Sequence, residues 1–417
     1  MPENFHIDMP EAVRNIIHTI EEHGFKAYAV GGCIRDSILG RNPDDWDITT
    51  SAVPSQIKTF FKRTVDTGIA HGTVTIMIDK TGYEVTTYRI DGKYEDGRHP
   101  KSVEFSDRLV DDLCRRDFTI NAMAYNDTDG FVDEFKGLDD LDAKIIRCVG
   151  EPELRFTEDA LRMMRAIRFS AQLGFTIDEA TWSAIKKLSP SISKISMERV
   201  HVELGKTLMS AHPDYVAEYS EAGLFEPILP VVDNALKSRY NKKILAILRH
   251  VPDNIYLRYA ALFITSTPDE AAKTLRALKL DNKTVDTVSK LVELSKIDIE
   301  ETEPAVRTAL NKYGRDFLPL WHELMMAVLQ ASEDIIGISN PAKVKHLLTL
   351  KRLATDILAR GDCFTIKDLD ISGNDLIEYG LQGHEIGETL KSLLDIVIEN
   401  PKLNDKATLI AMIEHIK

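Results

Sequence analysis

The chain has 417 residues, 43% hydrophobic and 28% charged, an ordinary globular balance with room for about two to four domains. No apolar run approaches the roughly 20 residues needed to cross a bilayer, and the N-terminus lacks a basic segment followed by an apolar one, so a cytoplasmic protein without membrane spans is expected. The net charge of −14 weighs against a surface built to hold nucleic acid, although net charge says nothing of clustering, and basic residues do gather at 155–168 and 237–243.

In chain order, residues 10–23 carry apolar side chains at Val13, Ile16, Ile17 and Ile20, a helical stripe closed by Gly24. Residues 27–30 read as a strand stopped by Gly31-Gly32. A short helix follows to Leu39, ended by Gly40, and residues 45–50 read as a second strand. Residues 73–78 and 83–88 are rich in β-formers and are separated by Asp79-Lys80-Thr81-Gly82, so they predict a hairpin. Residues 89–100 are polar and Gly-containing and predict a loop. Beyond about residue 150 strand signals nearly vanish, and residues 158–173, 196–209, 242–250 and 269–280 all predict helices. The four cysteines, Cys33, Cys114, Cys148 and Cys363, are too scattered for a zinc site or a disulfide framework and read as small buried hydrophobes.

The chemistry concentrates in GGCIRDSILGRNPDDWDITT, residues 31–50. Asp45 and Asp47 are two apart, a spacing that on a strand turns both side chains the same way. Two adjacent carboxylates repel unless a cation lies between them, and hard oxygen ligands suit Mg²⁺, which completes its shell with water and phosphates. Two such ions would activate an attacking hydroxyl and stabilise a leaving pyrophosphate. Glu84, in YEVTTYR, is the best candidate for a third carboxylate on a neighbouring strand. A bare Asp-x-Asp is more often a solvated turn. Here it follows a strand, Gly31-Gly32 and a helix bearing Arg35, an order that brings backbone N–H groups and a guanidinium toward a phosphate.

This segment resembles the signature of the DNA polymerase β superfamily, and within it the class II tRNA nucleotidyltransferase and bacterial poly(A) polymerase family. The resemblance makes Asp45 and Asp47 the metal ligands, with Glu84 at the third position. RRDFTINAMAY, residues 115–125, resembles the family's RRD motif, so Arg116, Asp117 and Asn121 would hold the nucleotide's sugar and triphosphate, together with Gly32 and Arg35. The same three charges could also be a surface ion-pair run. EDALRMMRAIRF, residues 158–169, resembles the family's EDxxR motif, in which side chains replace a nucleic-acid template. Taken without the resemblance, it reads as an exposed helix laced with ion pairs, because Glu158–Arg162 and Asp159–Arg162 have the spacings that meet on one helical face. A carboxylate accepts and a guanidinium donates, so an Asp159–Arg162 pair fits the amino donor and ring-nitrogen acceptor shared by cytosine and adenine, and rejects uracil and guanine. Arg165 and Arg168 continue the row toward phosphates or the RNA end. SMERVHVELGKTL, residues 196–208, is similar to a family helix that braces the selector. It also reads as a helix capped by Ser196 with Arg199 on its surface.

The resemblance implies an α+β protein: an N-terminal nucleotidyltransferase α/β head with a mixed sheet at 1–148, then all-helical parts, a neck with the base-selecting helix at 149–208, a body at 209–300 and a tRNA-binding tail at 301–417. It implies Mg²⁺-dependent addition of CCA to the tRNA acceptor end from CTP and ATP, with no membrane partner and with room for a homodimer. Residues 89–105 resemble the flexible loop of full CCA-adding members, and residues 369–404 resemble their tail. The basic segment that marks poly(A) polymerases is not evident, and no His-Asp dipeptide of a fused phosphohydrolase occurs. CC-adding or A-adding enzymes and poly(A) polymerases share the head motifs and remain alternatives. So does an RNA-binding protein with a degenerate head, although that would be expected to have lost Asp45, Asp47 or Arg162. No GxGxxG follows a strand, which excludes the usual nicotinamide site.

Overall fold

In the computed structural model, which describes residues 6–92 and 103–416, the strand β1 (Ala27–Val30) is buried at all four positions. Helix α1 (Glu11–Glu22) lays Val13, Ile16, Ile17 and Ile20 against this part of the sheet, burial that contributes about 1.5–3 kcal/mol for each side chain. Gly24 follows at φ +84°, and its N–H donates to the Glu21 carbonyl, which ends the helix as the sequence implied.

After β1 come α2 (Gly32–Ile38), β2 (Ile48–Thr50), α3 (Pro54–Phe60), β3 (Thr64–Gly68), β4 (Thr73–Ile78) and β5 (Thr81–Thr87). A small two-stranded ribbon, β6 (Arg89–Asp91) with β7 (Val103–Phe105), precedes α4 (Leu109–Cys114), β8 (Ala124–Asn126) and β9 (Gly130–Val132). Seven strands make one sheet in the order β3-β4-β5-β2-β1-β8-β9. β2 and β5 are parallel and the other pairings antiparallel, so the sheet is mixed as expected.

Two differences from the sequence reading bear on the site. The second strand begins at Ile48, so Asp45 and Asp47 stand in the segment leading into it. Only the Val30 N–H to Asp47 carbonyl bond, 3.0 Å, carries the ladder back to Asp47. The β4–β5 hairpin turns on Asp79 and Lys80 alone, at φ +47° and +75°, two left-handed residues that match the twist of a tight hairpin. Gly82 therefore belongs to β5. The loop expected at 89–100 begins as the strand β6, and residues 93–102 lie outside the described residues.

Helices follow: α5 (Gly137–Asp142), α6 (Pro152–Glu158), α7 (Leu161–Leu173), α8 (Glu179–Leu188), α9 (Met197–Leu208) and α10 (Val216–Glu221). A two-residue parallel bridge, β10 (Ile145–Ile146) with β11 (Thr176–Ile177), ties the end of the sheet region to α7. The helix expected at 158–173 is thus broken at Asp159, where φ −144° and ψ 105° are extended.

The chain divides into two units, Met1–Pro230 and Val231–Lys417. Among the described residues the second unit is entirely helical, and its longest members are 20-residue helices at Phe317–Ile336 and Pro341–Arg360. Within it Arg307 is buried and donates to the Ile398 carbonyl and to Glu303 and Asp362, a charged group held by a full set of partners. Cys33, Cys148 and Cys363 are buried as expected, whereas Cys114 is exposed. No described helix is long and apolar enough to cross a membrane.

Candidate active site

A cavity of about 360 Å³ in the first unit is lined by Asp47 just before β2 and Glu84 on β5, by Arg115, Arg116 and Asp117, and by Asp159, Arg162, Arg165 and Arg199. Register explains the carboxylate side. Ile48 lies beside Val85 and Thr49 beside Thr86, so the next step back sets Asp47 beside Glu84. With a two-residue period, Asp47, Thr49, Glu84 and Thr86 share one face of the sheet.

Asp47 has its pKa raised because the surrounding protein displaces water and because Asp45 is near, with Arg116 partly opposing. Burial and then the charges of Asp47 and Asp45 raise Glu84 in the same way. The three carboxylates therefore feel one another, and none makes a salt bridge with a described residue. Such a donor set fits a hard divalent cation, whose charge would relieve the repulsion. Among the described residues no three ligand side chains enclose an ion unaided, which leaves the remaining coordination to water and phosphate oxygens.

Gly31 sits at φ +87°, and a Cβ there would lie 2.8 Å from Arg116 Nη1. The glycine lets the guanidinium come against the end of β1, close enough to act on Asp47. Arg116 Nη2 reaches Asp112 at 3.3 Å, and its buried Nε has no hydrogen-bond partner. Asp112 is 0% exposed and holds Arg115 at 2.7 Å, while Thr49 Oγ1 donates to it at 3.1 Å. Burial alone would raise its pKa, but Arg115 and Arg116 more than reverse this and keep it ionised. Sequence reading missed Asp112. Its only signal was the three- and four-residue spacing to the two arginines.

Asp117 and Asn121 are buried beside this cluster. Asp117 accepts from Arg165 Nε at 2.7 Å, from Asn121 Nδ2 at 3.1 Å and from the Phe118 N–H at 2.9 Å. These bonds and the Arg165 charge overcome the effect of burial and hold its carboxyl well below the usual range. Asn121 Oδ1 accepts from Arg35 Nη1 at 2.6 Å. Arg35 spends the rest of its fork on Asp36, at 2.9 and 2.8 Å, and stacks on Phe169. A continuous row of hydrogen bonds thus joins α2 to α7 through Arg35, Asn121, Asp117 and Arg165.

The selector differs from the pair that the spacing implied. Asp159 and Arg162 line the same cavity but do not bond to each other through their side chains. Asp159 accepts from Arg199 Nη1 at 3.2 Å and Nη2 at 2.6 Å, whereas Arg162 Nη1 donates to Glu158 at 2.6 Å. Extended backbone at Asp159 removes the helical geometry that would have joined the two. Arg199 is accordingly a cavity residue and not a surface one, and Ser196 occupies the cap position without a side-chain cap bond.

Arg168 is also placed differently. It is 5% exposed, with Nε on Glu203 at 2.6 Å and Nη1 on Gln172 at 2.7 Å, and it stacks 3.7 Å above Phe169. It borders a second cavity of about 570 Å³ together with Gly32, Arg35, Asp45, Asp47 and Lys206. Asp47 is common to both cavities.

Residues 27–147 match the family described as "Poly A polymerase head domain", and 174–236 and 254–413 match families named for polymerase A and for tRNA nucleotidyltransferase. A CCA-adding enzyme of Pediococcus pentosaceus is 34% identical over 98% of this chain and 98% of its own length. One of Levilactobacillus brevis is 36% identical over 99% and 98%. The crystal structure of Bacillus stearothermophilus CCA-adding enzyme in complex with CTP matches at 31% identity and a TM-score of 0.74, covering 97% of this chain and 96% of that one.

Proposed function

The chain belongs to the CCA-adding enzyme family, and we propose that it adds CCA to the 3′ end of tRNA from CTP and ATP, without a nucleic-acid template and with release of pyrophosphate. One observation carries this reading. A single cavity holds both the carboxylates for nucleotidyl transfer, Asp47 and Glu84, and the two groups suited to reading a base edge, Asp159 and Arg162. At about 360 Å³ it lies in the range of small-molecule sites.

The family uses a divalent metal, and we assign Mg²⁺ to Asp45 and Asp47, with Glu84 as the third carboxylate. When bound, Mg²⁺ supplies Lewis acidity, favouring the ionised 3′-hydroxyl and the departing pyrophosphate. The transfer joins the RNA 3′-oxygen to the α-phosphorus and breaks the bond between that phosphorus and the α–β bridging oxygen. Arg116, anchored on Asp112, lines the cavity and offers its guanidinium charge to the triphosphate, and Gly31 makes room for it. Gly32 and Arg35 lie on the flank shared with Asp45, and there Arg35 would exchange Asp36 for phosphate. Asp117 and Asn121 fix the floor and Arg165 beside it, and in this reading the sugar packs against them.

Asp159 accepts the exocyclic amine of cytosine or adenine, and Arg162 donates to the adjacent ring nitrogen. Uracil or guanine would set carbonyl against carboxylate and N–H against guanidinium, at about 1–3 kcal/mol for each unmatched group. Arg168 serves as a brace between α7 and α9. We divide the chain into the head at 1–148, the neck at 149–208, the body at 209–300 and the tail at 301–417, and place the tRNA acceptor end between head and neck. A cytoplasmic location suits the substrates.

The test is to incubate the protein with Mg²⁺ and tRNA ending before CCA. Two nucleotides from CTP alone, three from CTP with ATP, and none from UTP or GTP are expected. Long adenosine tails, a stop at two residues with both nucleotides, or addition only to tRNA ending in CC would assign it to another branch of the family. No incorporation would overturn the enzymatic reading.

A further inference from the structure

The second unit contains a cavity that the nucleotide chemistry does not use. It has a volume of about 80 Å³ and lies where the helices Glu303–Tyr313, Phe317–Ile336 and Pro341–Arg360 pack together. Val306, Leu318, Leu350 and Ala354 make its walls apolar. Trp321 adds its ring, whose Nε1–H already donates to the Leu294 carbonyl at 3.1 Å.

One buried polar group interrupts this lining. His322 is 8% exposed, and its Nε2 has no hydrogen-bond partner among the described residues. A buried nitrogen left in this way is destabilising, and folded proteins pair such groups with protein, water or a ligand. Water suits this cavity poorly. The volume would take about six molecules, each needing about two to four polar partners, and the walls offer too few. Burial first, and then the charge of Lys351, lower the pKa of His322, so the ring is neutral at pH 7 and its Nε2 can carry a hydrogen to donate. Lys351 lines the same cavity from the exposed side of its helix and forms no ion pair with a described residue. Among the described residues the lining includes no carboxylate. An apolar chamber with one neutral donor inside and one unpaired cation at its edge complements a small molecule that is apolar at one end and anionic at the other.

We propose that this cavity is a binding site for a small branched aliphatic carboxylate. Its volume limits the ligand to about six or seven non-hydrogen atoms. The alkyl group packs against Val306, Leu318, Leu350, Ala354 and the Trp321 ring, and the carboxylate accepts from His322 Nε2–H and faces the Lys351 ammonium. An alcohol of the same shape would meet the nitrogen but gain nothing from the cation. A nucleotide is too large and too polar for these walls. The site lies in the other unit from the proposed CTP and ATP cavity, so it does not depend on that reading.

The experiment titrates 3-methylbutanoate and 3-methyl-1-butanol into the full-length protein by calorimetry at pH 7.5, for the wild type, Lys351→Met, His322→Phe and Ala354→Leu, with melting curves for each. The wild type is expected to bind the acid with a Kd of about 1 mM or lower, and the alcohol at least about tenfold more weakly. Lys351→Met should weaken the acid by about fivefold or more and leave the alcohol unchanged. His322→Phe keeps the bulk of the ring without its donor, and should weaken the acid by at least about tenfold. Ala354→Leu fills the cavity and should abolish binding of both. No binding of the acid by wild type up to about 20 mM, or equal affinity for acid and alcohol, would overturn the inference. So would an acid affinity unchanged in both Lys351→Met and His322→Phe, which would mean that the acid binds elsewhere. If His322→Phe or Ala354→Leu fails to fold, Lys351→Met, at an exposed position, decides alone.

Discussion

Replacing Asp112 with asparagine should damage stability and activity together. Asp112 is fully buried, accepts from Arg115 Nε at 2.9 Å and Nη2 at 2.7 Å, and lies 3.3 Å from Arg116 Nη2. Removing one member of a buried ion pair costs about 3–5 kcal/mol, because the other charge is left uncompensated. The arginines are 19% and 18% exposed, so water offsets part of this and about 3 kcal/mol is expected. For a unit of this size each 1 kcal/mol moves Tm by about 2–4 °C, which gives a fall of about 6–12 °C in a melt at pH 7.5. The folded pKa of Asp112 lies below its ordinary value of 3.8, so its stabilisation is complete above that value and is lost only as pH falls through the folded pKa. The gap between wild type and variant should therefore be constant from pH 6 to 8 and close in strong acid. Arg116 also loses its anchor, and kcat/KM for CTP should fall by about tenfold or more, the worth of one charged hydrogen bond. A Tm within about 2 °C of wild type, or an unchanged KM for CTP, would refute the reasoning.

Three further outcomes are expected. Gly31→Ala puts a side chain at φ +87° and pushes Arg116 from its place, so it should destabilise by about 1–3 kcal/mol in calorimetry and raise KM for CTP. Glu218 has its pKa pushed up to about 7, first by burial and then by Glu221 and Asp214, and its Oε2 lacks a hydrogen-bond partner. Its folded pKa exceeds the ordinary 4.5, so its ionisation removes stability as pH rises from 4.5 to about 7. Glu218→Gln should thus melt above wild type at pH 8, by at most about 3 kcal/mol, and equal it near pH 4, and the reverse trend would contradict this. Asp45→Ala should abolish nucleotide addition while tRNA binding, read by filter retention, stays close to wild type.

Local patterns made much of the head readable. The stripe on α1, the strand before Gly31 and the short helix ended by Gly40 are written in neighbouring residues, and so is the carboxylate motif. Features created by distant partners were not. Glu158, Ala160 and Leu161 are good helix formers, yet the chain is extended at Asp159 between them, and its carboxylate is held by Arg199, 40 positions along the chain. Asp112 looked like one more charge in DDLCRRD, because nothing local shows that it is buried under Thr49. β3 and β8 were missed for a simpler reason: TVDTG and AYN are too short to show alternation and owe their pairing to β4 and β1. Arg168 shares its three-residue step with Arg165, but that rotation turns it toward Glu203 and away from the first cavity.

The central claim is that one cavity both selects the base and performs the transfer. A crystal structure of the protein with CTP and Mg²⁺ tests it most directly. The account predicts the cytosine amino group on Asp159, its ring nitrogen facing Arg162, and the α-phosphate beside a metal on Asp45 and Asp47. A base bound away from Asp159 and Arg162, or a triphosphate remote from the two aspartates, would contradict it.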